Sequence, residues 1–267
     1  MSDAVYRREA AFHDRWAAGE RADALDAEAH FTAITAPENR YILRKLGDLR
    51  GKRVLDVGGG LGENAVFFAR RGARVTASDI APGMVAHALE ACRLAGHDEV
   101  EGRVLNAMHL DLPDACYDIV YAANILHHTP DPVRAMRELR RVTRPGGLVC
   151  TWDPLCHNPV INAYRRMATA VRSDDERPLR IEFLDRIRPL FRDLRVRTFW
   201  IATLWIFLRF YLIERVHPND DRYWKRIIRD HRRVAPCYRR LARLDALLTR
   251  LPGLRRWAWN LVIVARR

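Results

Sequence analysis

The chain predicts an α/β fold: a doubly wound, mostly parallel, seven-stranded Rossmann-like sheet, with helices ahead of it and a helical insertion between its last two strands. Three observations predict it. Val54-Leu55-Asp56-Val57 runs apolar into Gly58-Gly59-Gly60-Leu61-Gly62 and then into an apolar segment from Ala65, which reads as a strand, a tight turn and a helix start. Asp79 ends the next apolar run nineteen residues beyond Gly60, the separation at which an acid on a second strand tip reaches a ribose diol. Short apolar runs then alternate with helical patterns as far as Trp152, as expected of a parallel sheet covered on both faces.

In chain order, Val5 to Ala17 is patterned as an amphipathic helix with Phe12 and Trp16 four apart, and Thr35 and Pro37 open a second helix carrying Tyr41, Ile42 and Leu46. Residues 1–50 thus form a helical cap, in which His13, Asp14 and His30 read as packing residues. Residues 51–202 form the core. Its helices are Ala65 to Arg71, stopped by Gly72, and Pro82 to Leu94, closed by Gly96; a third is capped by Asp131-Pro132 and runs to Arg144. Its strands are Ala73 to Ser78, a short one near Arg103 to Leu105, Tyr117 to Ile125, and Leu148 to Trp152 after a turn at Pro145-Gly146-Gly147. Leu194 to Ile201 and Trp259 to Ala265 supply an antiparallel closing hairpin, so residues 257–267 return to the core after an insertion over 203–256.

Charge decides which ligand the glycine loop suits. A dinucleotide register can be set only on Gly60, Gly62 and Ala65, and it leaves Asp56 and Glu63 facing a pyrophosphate. S-adenosylmethionine carries an ammonium, a sulfonium and a single carboxylate, so an acid at the strand end attracts it.

The net charge of +13 is one-sided: residues 155–267 hold 26 basic and 11 acidic side chains, against 20 and 22 in residues 1–154. Such a surface favours anionic partners, whether phospholipid, a phosphorylated or carboxylated small molecule, or nucleic acid, although arginine richness also follows from a GC-rich genome. Cys92, Cys116, Cys150, Cys156 and Cys237 have neither paired nor zinc-like spacing and read as buried thiols of a reducing cytosol; no metal site is expected. Met1 to Ala17 lacks the continuous apolar stretch of a secretory signal.

Residues 52–154 resemble the core of class I S-adenosylmethionine-dependent methyltransferases, in particular the type 11 group. The resemblance rests on Val54 to Gly62, on Ser78-Asp79-Ile80-Ala81-Pro82-Gly83-Met84, on Asn106 to Val120, and on Arg137-Glu138-Leu139-Arg140-Arg141-Val142-Thr143-Arg144-Pro145-Gly146-Gly147. It implies that Gly58, Gly60 and Gly62 pass close to the methionine part of the cofactor, that Asp56 lies near its ammonium, and that Asp79 takes both ribose hydroxyls. Ile80 and Met84 would pack on adenine, with Asn106 in place of the family's usual Asp, Ala107 and Met108 along its edge, and Asn124 where the reactive methyl points. Asn still accepts from the adenine amino group. The Asp/Asn-Pro-Pro-aromatic signature of DNA and protein amino-methyltransferases is missing from Ala123-Asn124-Ile125-Leu126, which argues against nucleic acid as acceptor.

Methyl transfer needs a positioned acceptor and, where the acceptor carries a proton, a base. His128, His127, His157 and Asp153 cluster after the fourth and fifth strands and are the candidates, His128 first; Trp152 lines the pocket or faces a cation, and Tyr164, Arg165 and Arg172 clamp a carboxylate or phosphate. The last three belong to a stretch, Asn158 to Glu176, that resembles part of a subset of these enzymes. The insertion opens with an apolar run shorter than the ~18 residues that cross a bilayer. It continues with a stripe of Tyr238, Leu241, Leu244, Leu248 and Leu251 among Arg239, Arg240, Arg243 and Arg250, fit to lie on an anionic membrane, roof a pocket, or pack on the sheet or a second subunit. The expected activity is methylation of an O or N atom of a small lipophilic or anionic acceptor by a cytoplasmic protein. An RNA- or protein-modifying enzyme, or one using another carbon of the sulfonium, is the alternative.

Overall fold

A computed structural model describes residues 2–173, 175–251 and 253–267; Met1, Asp174 and Pro252, each within a stretch considered above, lie outside them. Seven strands form one sheet in the order β3-β2-β1-β4-β5-β7-β6: β1 Arg53–Val57, β2 Arg74–Asp79, β3 Glu101–Val104, β4 Tyr117–Ala123, β5 Thr143–Pro154, β6 Asp193–Phe199 and β7 Asn260–Arg266. The first five run parallel, and β7 inserts antiparallel between β5 and β6. Every residue of β4 is buried, which is why that strand reads as a continuous apolar run. Pro145-Gly146-Gly147 is a bulge inside β5 rather than a turn before it: the β4 register slips between Tyr117 and Ile119, and Gly146 takes φ +78° to absorb it.

Helices α1 Ser2–Ala18, α2 Ala27–Thr32 and α3 Pro37–Leu46 precede the sheet; α4 Glu63–Ala69, α5 Pro82–Leu94 and α6 Pro132–Val142 connect its strands. Gly62 at φ +104° is the N-cap of α4, and a Cβ there would lie 2.7 Å from the Ala88 main chain, so glycine permits the close packing of α4 on α5. Asp14, expected only to pack, accepts the Gly83 N–H at 2.7 Å and seats α1 on the first turn of α5.

After β5 come α7 Pro159–Met167 and α8 Phe183–Ile187, and the insertion folds as α9 Trp205–Leu212, α10 Tyr223–Arg229 and α11 His231–Leu248. Its aromatic core, built from Tyr164, Trp200, Phe207, Phe210, Tyr223, Tyr238 and Trp259, is continuous with Ile161 of α7 and Phe199 of β6. Of the apolar stripe expected along α11, Tyr238 alone is buried on its packed face. Leu244 and Leu251 are exposed, whereas Val234, Ala235, Tyr238 and Asp245 are buried. Asp245 sets this rotation by accepting the N–H groups of Ile201 and Ala202 at 3.2 and 2.5 Å and the Thr203 hydroxyl at 2.5 Å. Two of the five cysteines, Cys92 and Cys150, are fully buried; the other three are half-buried, and all are free thiols.

Candidate active site

Strand order reverses between β1 and β4, and in open parallel sheets that reversal leaves a crevice at the strands' carboxyl ends. A cavity of about 610 Å³ lies there, lined by the glycine loop, the loop after β4, and residues of α1, α7 and α10. The two loops fit each other closely. A Cβ on Gly58 would meet Ile125 at 2.2 Å, while one on Gly60 would project into open space, as a backbone cradling a ligand requires. Asn124 holds a left-handed φ of +61° in the same loop, and its N–H donates to the Trp152 carbonyl at 2.6 Å.

Asp79 ends β2 at the cavity wall. Its two oxygens accept the N–H groups of Ala81 and Gly60 at 3.0 and 3.1 Å, which aims the carboxylate and leaves each oxygen lone-pair capacity for a diol. Burial raises its pKa, opposed by these N–H groups and the charge of His13. Gly58, Gly60, Ile80, Asn106, Ala107 and Asn124 line the same cavity. The open space at Gly60 and the aimed Asp79 fit the ribose and methionine parts of S-adenosylmethionine. Four residues expected at the cofactor stand behind this wall. Asp56 is fully buried beneath the loop, does not line the cavity, accepts from the Asn64 amide at 3.2 Å, and burial raises its pKa well above the usual carboxyl range. Gly62 packs on Ala88, Met84 on Leu61 and Ala81, and Met108 in the core on the other face.

Among the expected bases, the structure separates His127 from the rest. His127 lines the cavity, with Nδ1 2.9 Å from Asp153 Oδ1. The same oxygen accepts the His127 main-chain N–H at 3.1 Å, and burial raises the Asp153 pKa; an ionised Asp153 would hold the ring proton on Nδ1 and leave the lone pair on Nε2. Burial and the charges of His128, Arg165 and Arg172 hold the imidazole well below its ordinary pKa. Asp153 is buried behind it and does not reach the cavity. His128 instead sits 3.0 Å from Glu9; burial depresses its pKa, but Glu9 and the charges of Glu176 and Asp153 outweigh that and raise it. His157 lies outside the cavity, its Nε2 accepting the Ile181 N–H at 3.5 Å.

The residues expected to contact the acceptor all line the cavity. Trp152 lines the cavity with Nε1 donating to Asn39 at 2.8 Å, so its polar edge is satisfied. Tyr164, Arg165 and Arg172 line it too. Among the described residues the Tyr164 hydroxyl and Arg165 Nη2 are buried with no hydrogen-bond partner, and burial together with the Arg172 charge pulls the Arg165 pKa down to about 10. Arg172 pairs with Glu176, which lies 3.9 Å from His127 Nε2. Glu9, Glu38 and Glu176 were missed as wall residues. Glu9 and His13, at i and i+4 on α1, were the detectable signal, because that spacing puts both on one helix face.

A family model described as a methyltransferase domain matches residues 55–151. The chain is 40% identical over 124 residues to a ubiquinone biosynthesis O-methyltransferase of Sodalis glossinidius, covering 45% of this chain and 47% of that one. It is 39% identical over 99 residues to a malonyl-[acyl-carrier protein] O-methyltransferase of Serratia marcescens, covering 37% of each. These matches span less than half the length of the curated relatives. The fold also superposes with a TM-score of 0.58 and 21% identity on a Haemonchus contortus phosphoethanolamine N-methyltransferase 2 solved with phosphomonomethylethanolamine and S-adenosylhomocysteine, covering 86% of this chain and 52% of that one. With the sheet order, the glycine loop and the aimed Asp79, they show that residues 55–151 form a methyltransferase domain of the class I S-adenosylmethionine-dependent type.

Proposed function

We propose that the protein transfers the methyl group of S-adenosylmethionine to an O or N atom of a small acceptor that is anionic at one end and apolar elsewhere. The observation that carries this reading is a cavity shared by Asp79 and the glycine loop with two buried donors that have no partner among the described residues, Arg165 Nη2 and the Tyr164 hydroxyl. A buried donor left unpaired costs about 1–3 kcal/mol, more when charged, and a carboxylate or phosphate of the acceptor would satisfy both. Phe12, Ile161, Trp200, Trp224 and Trp259 supply apolar wall for the rest of the molecule.

When bound, the cofactor supplies an electrophilic methyl on a sulfonium. The protein's own residues then hold the ribose (Asp79), orient the acceptor (Arg165, Tyr164, Arg172) and, where the acceptor is protonated, accept its proton at His127 Nε2. An ionised Asp153 keeps that nitrogen free of hydrogen. His127 therefore replaces His128 as first choice. The relatives' names, which include O-methyltransferases of ubiquinone biosynthesis and of malonyl-[acyl-carrier protein], support a small or carrier-borne oxygen acceptor. The test is a screen of carboxylate- and phosphate-bearing amphiphiles for S-adenosylhomocysteine release. Turnover confined to acceptors lacking an anion would overturn the clamp.

A second reading concerns the surface. No helix among the described residues is long and apolar enough to cross a membrane. Exposed Leu212, Ile213, Leu244, Leu247 and Leu251, on an insertion rich in arginine, support peripheral contact with an anionic bilayer. Salt-sensitive co-sedimentation with anionic and not neutral liposomes is expected; absence of binding contradicts it.

A further inference from the structure

We propose that Glu9, His13 and His128 form a binding site for a divalent transition-metal cation of the zinc class, open to the cavity. Glu9 and His13 come from one face of α1, and His128 from the loop after β4. Glu9 Oε2 lies 3.5 Å from His13 Nε2 and 3.0 Å from His128 Nδ1, and the three ligand atoms lie within 4.8 Å of one another. Ligands held about 2.0–2.2 Å from a tetrahedral zinc are themselves about 3.3–3.5 Å apart, so little movement separates this arrangement from a coordination sphere.

Glu9 Oε2 and His128 Nδ1 are buried and close, and the same carboxylate oxygen faces His13 Nε2, so one oxygen and two ring nitrogens converge on a common space. The remaining Glu9 oxygen, Oε1, accepts the Ser173 hydroxyl at 2.5 Å, the kind of outer contact that orients a ligating carboxylate. Glu176 and His127 adjoin the cluster, but Glu176 is taken by Arg172 and His127 Nδ1 by Asp153. Two imidazoles and a carboxylate, with no thiolate, suit Zn²⁺, Mn²⁺ or Fe²⁺ and not soft ions. Three protein ligands leave a fourth position, which all three residues present to the cavity and which an oxygen of the acceptor can fill.

Metal binding is measured on the free protein without an acceptor, so it stands apart from the proposed reaction. The full chain, stripped with a chelator, is titrated with Co²⁺ and Zn²⁺. One equivalent is expected, with a Co²⁺ ligand-field spectrum and an X-ray absorption shell of nitrogen and oxygen near ~2.0–2.1 Å without sulfur near ~2.3 Å. His13→Ala and Glu9→Gln are expected to weaken binding more than ~100-fold, while His97→Ala, which removes a surface His–Glu pair, leaves it unchanged. S-adenosylmethionine calorimetry reports whether each variant is folded, and if one is not, the wild-type absorption shell decides. Absence of saturable binding at one equivalent, a sulfur shell, or equal affinity in folded variants overturns the proposal.

Discussion

His127 Nδ1 and Asp153 Oδ1 lie 2.9 Å apart at the ends of two adjacent strands, β4 and β5, whose pairing places Ala123 opposite Trp152. His127 follows β4 in a short turn, and its ring lines the cavity. His127→Ala is expected to retain cofactor affinity and to lose about 10²–10⁴ in turnover with an acceptor that must be deprotonated. Asp153→Asn should lower turnover less, because it disturbs the tautomer and leaves the ring in place. Equal turnover in His127→Ala and wild type, measured by S-adenosylhomocysteine release, would leave positioning as the sole source of rate.

Arg165→Leu removes the guanidinium whose Nη2 has no partner among the described residues. In a thermal-shift panel, carboxylate- and phosphate-bearing amphiphiles should stabilise the wild type and fail to stabilise this variant, while the shift given by S-adenosylmethionine persists in both. A variant that keeps the amphiphile shift speaks against the clamp.

Glu38 is buried in α3, and burial raises its carboxyl to about 7 against the pull of the Asn260 amide at 2.7 Å. Its folded pKa exceeds the unfolded value of 4.5, so the folded state holds the proton more tightly. Its contribution is present in full below pH 4.5 and is lost as pH rises to about 7, a change on the order of 3 kcal/mol. Glu38→Gln should flatten that slope in urea melts taken across the window; an unchanged slope would assign it to other groups.

The Asp245 carboxylate joins α11 to the start of the insertion through main-chain N–H groups. Asp245→Ala leaves those donors buried and should cost about 2–4 kcal/mol, lowering Tm by roughly 4–16 °C for a domain of this size. Unaltered melting would mean that α11 packs by its aromatic contacts alone.

Much of the core was legible because its signals are local. The β1 loop, its glycines and Asp79 follow one another within a single βαβ unit, where spacing determines which tips meet. The wall contributed by Glu9, His13 and Glu176 was not, because its residues are far apart in the chain and meet only through docking of α1, which depends on Asp14 capping α5. Asp56 illustrates a different limit: pattern places it at the strand end, but its side chain is buried beneath the loop and does not line the cavity. On α11 hydrophobicity pointed to the leucines, whereas one buried carboxylate with several donors set the rotation.

The most direct test of the account is calorimetric titration of the purified protein with S-adenosylmethionine, S-adenosylhomocysteine and NAD, repeated on Asp79→Ala. Competitive single-site binding of the first two is expected, without NAD binding. Loss of the aimed carboxylate should weaken both by roughly 1.5–3 kcal/mol, about 10- to 150-fold. Binding of NAD, or unchanged affinity in Asp79→Ala, would contradict it.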